Sequence, residues 1–458
     1  MQREKLGSRL GFILLSAGCA IGVGNVYRFP YIVSQNGGGI FVLIYLFFLI
    51  ALGIPVMTME FATGRAAQKS PVLLHRELEP KGTKWHIHGY AALVGNLLLM
   101  MFYTTIAGQM LCYFWKSLTG AFFGMDANQI IQYNKTLVAD PVTQIVFMGI
   151  IVVLGFLICS FSLRGGLERF SKIMMSALLV IMIVMVVNSF FLSGAKEGLS
   201  FYLVPNLDRM KEAGVVQVIS DAMNQSFFTL STGIGSMAIF GSYINKDRAL
   251  LGESVNIAVL DTSVAFMAGL IIFPACFTYD VEFRDEENSG MGLIFNALPN
   301  VFNDMPLGRL WGSLFFLLMT FAAFSTIIAV FENIIACVRD LTGWSRRKTS
   351  IICCIAIFIL SIPAALSSNL LLNFTIAGKD IMWIEDFLVS NILLPLGSLA
   401  FVLFCTTRYG WGWKNFVAEA NTGKGAKVQK WMRAYMTYVL PLLTLAVFAV
   451  NMYNIFFA

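Results

Sequence analysis

The sequence predicts an all-α polytopic membrane protein of eleven spans. Three observations carry this: composition, the spacing of apolar runs, and the placement of Lys and Arg. Of 458 residues, 57% are hydrophobic and 13% charged, against about 25% charged in an ordinary soluble domain. So few charges cannot cover a water-exposed surface, and most of this surface must face lipid. With 40 Phe, 14 Tyr and 8 Trp, the chain also has too much to bury for a disordered protein. The net charge of +6 is spread over short loops, which argues against a nucleic-acid partner.

Apolar runs fall at 11–35, 40–65, 89–123, 141–161, 166–192, 217–244, 251–279, 308–339, 349–367, 382–407 and 433–456. A crossing needs about 20 such residues. Without water the backbone must satisfy its own hydrogen bonds, so each run is expected to be a helix. The first run follows the polar start Met1 to Arg9 and is too long for a signal-peptide core, so it should remain as a span. With the N-terminus in the cytoplasm, 23 of the 32 Lys and Arg lie in cytoplasmic segments, and the C-terminus ends outside. The longer outer loops join spans 3 and 4, 5 and 6, and 7 and 8. Segment 291–306, with Pro299 and Pro306, reads as a short helical hairpin over the outer face, either a lid or a packed surface loop.

The eight cysteines sit in or at the ends of apolar runs and read as small buried hydrophobes. The three histidines, His75, His86 and His88, share one polar stretch, which disfavours a histidine metal centre or a triad. No nucleophile is paired with a base, so an enzyme is not expected.

Two spans carry glycine clusters beside polar residues. Span 1 holds Gly18, Gly22 and Gly24 with Asn25 and Arg28; span 6 runs from Asn224 through Thr229, Ser231 and Thr232 to Gly233, Gly235 and Ser236. Such clusters, costly to a helix and rich in potential ion ligands, are the sequence form of a discontinuous helix. Span 1 opens one set of five spans and span 6 the next, and an odd number makes the second set enter from the opposite side. This divides the chain into 1–192 (spans 1–5), 193–407 (spans 6–10) and 408–458 (a cytoplasmic loop and span 11). Broken helices at corresponding positions of an inverted 5+5 repeat point to a midplane binding site in a secondary transporter. Half-helix N-termini would attract a carboxylate, and freed carbonyls would bind Na⁺.

At these residues the chain resembles the neurotransmitter:sodium symporter family. The motif reads Gly24-Asn25-Val26-Tyr27-Arg28-Phe29-Pro30-Tyr31, followed by Asn36-Gly37-Gly38-Gly39, and span 6 adds Phe227-Phe228-Thr229-Leu230-Ser231. The likeness runs through span 10, and the eleven-span count resembles the bacterial members. It implies the LeuT fold, with spans 1 and 6 unwound at the midplane, sodium coupling and alternating access. It places a first sodium site at the Ala20 carbonyl, Asn25, Thr229 and Asp261, and a second at the carbonyls of Gly18, Ile21 and Ala322 with Ser325 and Thr326. Many relatives have Asn where Asp261 stands. In chloride-dependent members a bound anion supplies that negative charge, so no chloride requirement is expected here. An intramembrane acid is otherwise a structural hydrogen-bonded or protonated group.

The resemblance further implies that Val23, Gly24 and Tyr103 hold a substrate carboxylate. Ala20, Phe228, Thr229 and Ser231 would face its ammonium, and Leu99, Phe228, Ile234, Thr326 and Val330 would line the side-chain pocket. Monoamine transporters of the family carry Asp where Gly22 stands, so an amino acid is favoured over a monoamine. The apolar lining favours a neutral, hydrophobic or aromatic one. Arg28 with Asp386, and Arg3 with Asp340, would act as outer and inner gates. Glu60 and Glu332 read as acceptors that tie down the broken helix and its neighbours. The partners expected are thus an amino acid, sodium and the lipid bilayer of the plasma membrane. The rival readings are a channel, which would need a continuous polar lining, and a nontransporting amino-acid sensor of the same fold.

Overall fold

A computed structural model describes residues 4–279, 281 and 290–457. In chain order the helices are α1 (Arg9–Ala20), α2 (Gly24–Gln35), α3 (Gly39–Ala67), α4 (Pro71–Leu78), α5 (His86–Thr119), α6 (Ala127–Ala139), α7 (Pro141–Ser160), α8 (Leu163–Ser189), α9 (Ala195–Leu203) and α10 (Leu207–Ala213). They continue as α11 (Val215–Thr229), α12 (Ser236–Gly241), α13 (Leu250–Thr278), α14 (293–304), α15 (Gly308–Thr342), α16 (Arg346–Leu366), α17 (Ile381–Thr406), α18 (Trp413–Ala420) and α19 (Met432–Phe456). Among the described residues, β-type pairing is limited to two isolated bridges.

Nine of these helices (α3, α5, α7, α8, α13, α15, α16, α17 and α19) are each long and apolar enough to cross a membrane among the described residues. Helices α1 and α2 pass that test together, bent by 59° at their junction. The sixth expected span is interrupted more fully, with residues 230–235 out of helix between α11 and α12. Helix α15 is the most enclosed, with 78% of its most apolar stretch buried, whereas α19 has 28% and lies at the periphery.

Five prolines within these helices share a local solution. A proline ring clashes with the carbonyl four residues back and removes an amide donor. Widening the preceding turn to a π-turn moves that carbonyl aside. Such turns at 24–28, 49–53, 293–297, 388–393 and 435–439 each stand just before a proline: Pro30, Pro55, Pro299, Pro395 and Pro441. This corrects the expectation for segment 291–306. It forms one helical stretch, α14, instead of a two-armed hairpin, because the π-turn at 293–297 leads directly into the α-helical turns that carry Pro299. The chain turns at 305–307, where Leu307 adopts φ 59°. Phe302 of α14 packs on Phe315 of α15 with ring centroids 5.4 Å apart, so this is a packed element.

The cytoplasmic end of α1 is anchored from α8. The Glu168 carboxylate accepts from the Gly7 amide at 2.7 Å and from Ser8 Oγ at 2.8 Å. Nearby, the buried Arg65 guanidinium donates to Glu419 at 2.6 Å, and Lys246 reaches the same carboxylate at 2.8 Å. These bonds fold the loop after α17 back under α3.

Candidate functional site

The two breaks face each other in the protein interior. Helix α1 ends at Ala20, and Ile21 takes an extended conformation with ψ 100°. The side chain of Asn25 turns back to accept from the Gly22 amide at 3.2 Å. Helix α2 then starts inside the molecule, where the positive end of the helix dipole favours an anion. There the Val23 amide donates to Tyr103 Oη of α5 at 3.0 Å.

In the second break three residues have left-handed φ: Ser231 at 49°, Gly233 at 107° and Gly235 at 73°. A non-glycine residue there costs energy and is typical of functional segments. The segment also runs backbone-to-backbone against α17, since a Cβ at Gly397 would lie 2.1 Å from the Gly233 carbonyl oxygen. From α3, the buried Glu60 carboxylate accepts from the amides of Gly233 and Met237, the latter at 3.2 Å. Glu60→Leu would strand both amides, at about 1–3 kcal/mol each. A lower melting temperature in detergent is the expected result.

Asn25, Thr229 and Asp261, from three different helices, meet in full burial. Asn25 Nδ2 donates to Asp261 Oδ1 at 2.8 Å, and Thr229 Oγ1 donates to Asp261 Oδ2 at 2.9 Å. A second cluster lies between the end of α1 and α15. Ser325 Oγ stands 2.9 Å from the Ala322 carbonyl oxygen and 3.3 Å from that of Ile21. Thr326 Oγ1 stands 3.3 Å from the Ile21 oxygen and 3.4 Å from those of Gly18 and Cys19. A hydroxyl bonded to one oxygen prefers about 2.7–2.8 Å. Several oxygens held at 3.3–3.4 Å around one hydroxyl instead form a set of ligands suited to a hard cation.

Between the clusters is a cavity of about 30 Å³, lined by residues of α1, α2, α5, both ends of the second break, α15 and α17. Above it opens a vestibule of about 530 Å³, and Gly24, Tyr103 and Phe228 line both spaces. The lower cavity holds about one water, so any larger occupant requires movement of its walls. A Cβ at Gly22 would stand 2.5 Å from Tyr103 Oη and 2.8 Å from Thr326 Oγ1.

A family model for the sodium:neurotransmitter symporter family matches residues 3–144 and 122–456. The chain belongs to that family. It is 32% identical over 423 residues to the uncharacterized sodium-dependent transporter YhdH of Bacillus subtilis, covering 92% of this chain and 90% of that one. It is 31% identical over 467 residues to an uncharacterized sodium-dependent transporter of Haemophilus influenzae, covering 99% of each. It is also 25% identical over 458 residues to the sodium- and chloride-dependent GABA transporter 2 of Bos taurus, over 90% of this chain and 74% of that one. Among solved structures, MhsT in complex with L-phenylalanine superposes with a TM-score of 0.86 at 34% identity, covering 98% of this chain and 99% of that one. The fold is therefore the LeuT fold, and the protein is a multi-pass membrane transporter that uses sodium, not an enzyme.

Most residues singled out in the sequence come together. Ala20, Gly24, Leu99, Tyr103, Phe228, Thr229, Ser231, Ile234 and Thr326 line the small cavity, and Val23 lines the vestibule. Val330 is buried on α15, one turn from Thr326, and does not line it. Val389 and Leu394 do line it, and sequence reasoning missed them. Their signal was the polar pair Ser390-Asn391 ahead of Pro395, which marks the irregular turn that turns α17 toward the site.

Of the gates, Arg28 and Asp386 both border the vestibule but form no ion pair with each other. Arg28 instead lies over the Phe228 ring at 4.0 Å, and Asp386 accepts from Ser390 Oγ at 2.6 Å. Stacking on an aromatic face is a favourable arrangement for a cation. At the other end Asp340 accepts from the Ser70 amide at 2.8 Å, and Arg3 lies outside the described residues. Glu332 takes the acceptor role expected of it, bonding Tyr243 Oη at 2.6 Å and the Arg346 guanidinium.

Proposed function

We propose that the chain is a sodium-coupled symporter of neutral, hydrophobic or aromatic L-amino acids that works by alternating access and needs no chloride. The observation that carries this reading is the cavity itself. An anion-favouring helix start, a tyrosine hydroxyl and two oxygen clusters surround a lining with no charged side chain. A zwitterion suits that arrangement: its carboxylate at Val23, Gly24 and Tyr103, its ammonium toward Ala20, Thr229 and Ser231, and its side chain against Leu99, Phe228 and Ile234. One sodium ion at Ala20, Asn25, Thr229 and Asp261 would neutralise the carboxylate. A second at Gly18, Ile21, Ala322, Ser325 and Thr326 would tie α1 to α15. The L-phenylalanine bound in the MhsT structure supports the substrate class.

Asp261 supplies a fixed negative charge beside the first ion, which is why chloride is dispensable in this reading. The two breaks lie five spans apart, which supports division into the sets 1–192 and 193–407, with 408–458 appended. The Lys and Arg asymmetry supports a cytoplasmic N-terminus and an external C-terminus in the plasma membrane. Closure of the vestibule would move Arg28 from Phe228 to Asp386. Coupling requires that sodium and substrate bind the outward and inward states unequally, and each charge carried inward gains about 2.3 kcal/mol per 100 mV.

The test is radiolabelled uptake into proteoliposomes from a panel of neutral amino acids under an inward sodium gradient, with chloride replaced by gluconate. Concentrative uptake that needs sodium and persists in gluconate is expected. Substrate binding without flux, or uptake that ignores the gradient, would overturn the reading.

A further inference from the structure

The amide of Asn96, on α5 one turn below Leu99, is buried and fully used. Its Nδ2 donates to the Ile234 carbonyl at 2.8 Å and to the Ala92 carbonyl at 2.7 Å, while its Oδ1 accepts from Asn333 Nδ2 of α15 at 3.1 Å. Asn333 is equally buried. Ile234 stands in the second break between Gly233 and Gly235, both at positive φ, so no regular helix fixes its peptide plane. Its side chain nonetheless forms part of the cavity wall. Gly95 makes room for that side chain, since a Cβ there would lie 2.9 Å from Ile234 Cγ2. Two adjacent residues of α5 therefore hold Ile234 from behind, one by leaving space and one by a hydrogen bond.

We propose that Asn96 is a positioning residue for side-chain selectivity: by holding the Ile234 carbonyl, with Asn333 fixing its own orientation, it sets how far the cavity wall can yield. This rests on the cavity being the amino-acid site. A flexible glycine-flanked segment would otherwise adjust to any side chain, and discrimination needs a wall that resists. Buried amide networks give that resistance when every member is satisfied, as here. Asn96 touches no substrate in this scheme and acts only through Ile234.

The experiment compares wild type, Asn96→Leu, Asn333→Leu and the double variant. Uptake of Val, Leu, Phe and Trp in proteoliposomes gives kcat/KM for each, and hydrogen exchange in detergent follows peptides spanning 230–236. In Asn96→Leu the ratio between the best and worst of the four substrates is expected to fall at least fivefold toward unity. Exchange of 230–236 should quicken at least tenfold while that of 97–110 holds. Asn333→Leu should shift both in the same direction by less, and the double variant should go no further than Asn96→Leu. Equal loss for all four substrates, or exchange at the wild-type rate, would overturn the proposal. If Asn96→Leu fails to fold, Asn333→Leu decides by the same two readouts. If wild type takes up none of the four, the amino-acid reading itself fails, and the exchange comparison still decides whether Asn96 holds the segment.

Discussion

Asp261→Asn is expected to raise the sodium concentration for half-maximal uptake by about 10- to 100-fold, and to make the remaining uptake respond to chloride. The carboxylate is fully buried and accepts hydrogen bonds from Asn25 and Thr229, the two side chains proposed to share the first ion with it. Unit charges 4 Å apart attract by about 4 kcal/mol at an effective dielectric of 20, on the order of a thousandfold in affinity. The amide oxygen kept by Asn offsets part of that loss, hence the smaller range. An external anion near the site can replace the missing charge, which is why chloride should now matter. The measurement is the sodium dependence of uptake in proteoliposomes, in chloride and in gluconate, for both proteins. An unchanged sodium dependence would remove Asp261 from the ion site.

The spans were legible because lipid imposes a simple rule: apolar runs of crossing length become helices. The breaks were legible too, since Gly22 and Gly24 with Asn25, and Gly233 and Gly235 with Ser231, spend helix propensity where a plain span would not. What periodicity could not supply is which segment lies opposite. Glu60 was readable as an acceptor tying down the broken helix, but the particular amides it meets, Gly233 and Met237, depend on how α3 packs along α12. The π-turns were hidden for a different reason. A proline announces a disturbed helix, yet whether the chain kinks or widens one turn is settled by its neighbours, and at Pro299 that choice made one helix of an expected hairpin.

At the site, the sequence supplied most of the lining through local motifs in α2, α5 and α15. Val389 and Leu394 escaped because they reach the cavity only through the irregular turn of α17, and Val330, one turn along α15 from Thr326, is buried outside the lining. The Arg28 stack on Phe228 was also unreadable, since it joins residues of α2 and α11 that are far apart in the chain. Asn96 carried no motif at all. An amide in an apolar helix signals a partner, and only the fold shows that this partner is the Ile234 carbonyl.

Gly22 carries the other large expected effect, because it sits where the two proposed ligands meet. A single methyl there would press within 2.5 Å of Tyr103 Oη and 2.8 Å of Thr326 Oγ1. Tyr103 is bonded to the Val23 amide at the proposed carboxylate position, while Thr326 belongs to the second oxygen cluster. Neither atom can retreat freely, since one ends a rigid ring and the other sits among three carbonyls. Overpacking of this kind costs about 1–3 kcal/mol, so Gly22→Ala should weaken substrate binding by about 5- to 150-fold, and sodium binding with it. Gly22→Asp adds a buried negative charge facing the substrate carboxylate and should bring uptake of neutral amino acids below detection. Two measurements separate the effects: uptake kinetics in proteoliposomes, and the rise in melting temperature that sodium gives the detergent-solubilised protein, which tracks ion affinity without any substrate. A joint loss in Gly22→Ala places one residue at the meeting point of ion and substrate, the physical requirement for coupling them. Wild-type affinity for both would mean that this cavity is not where they bind.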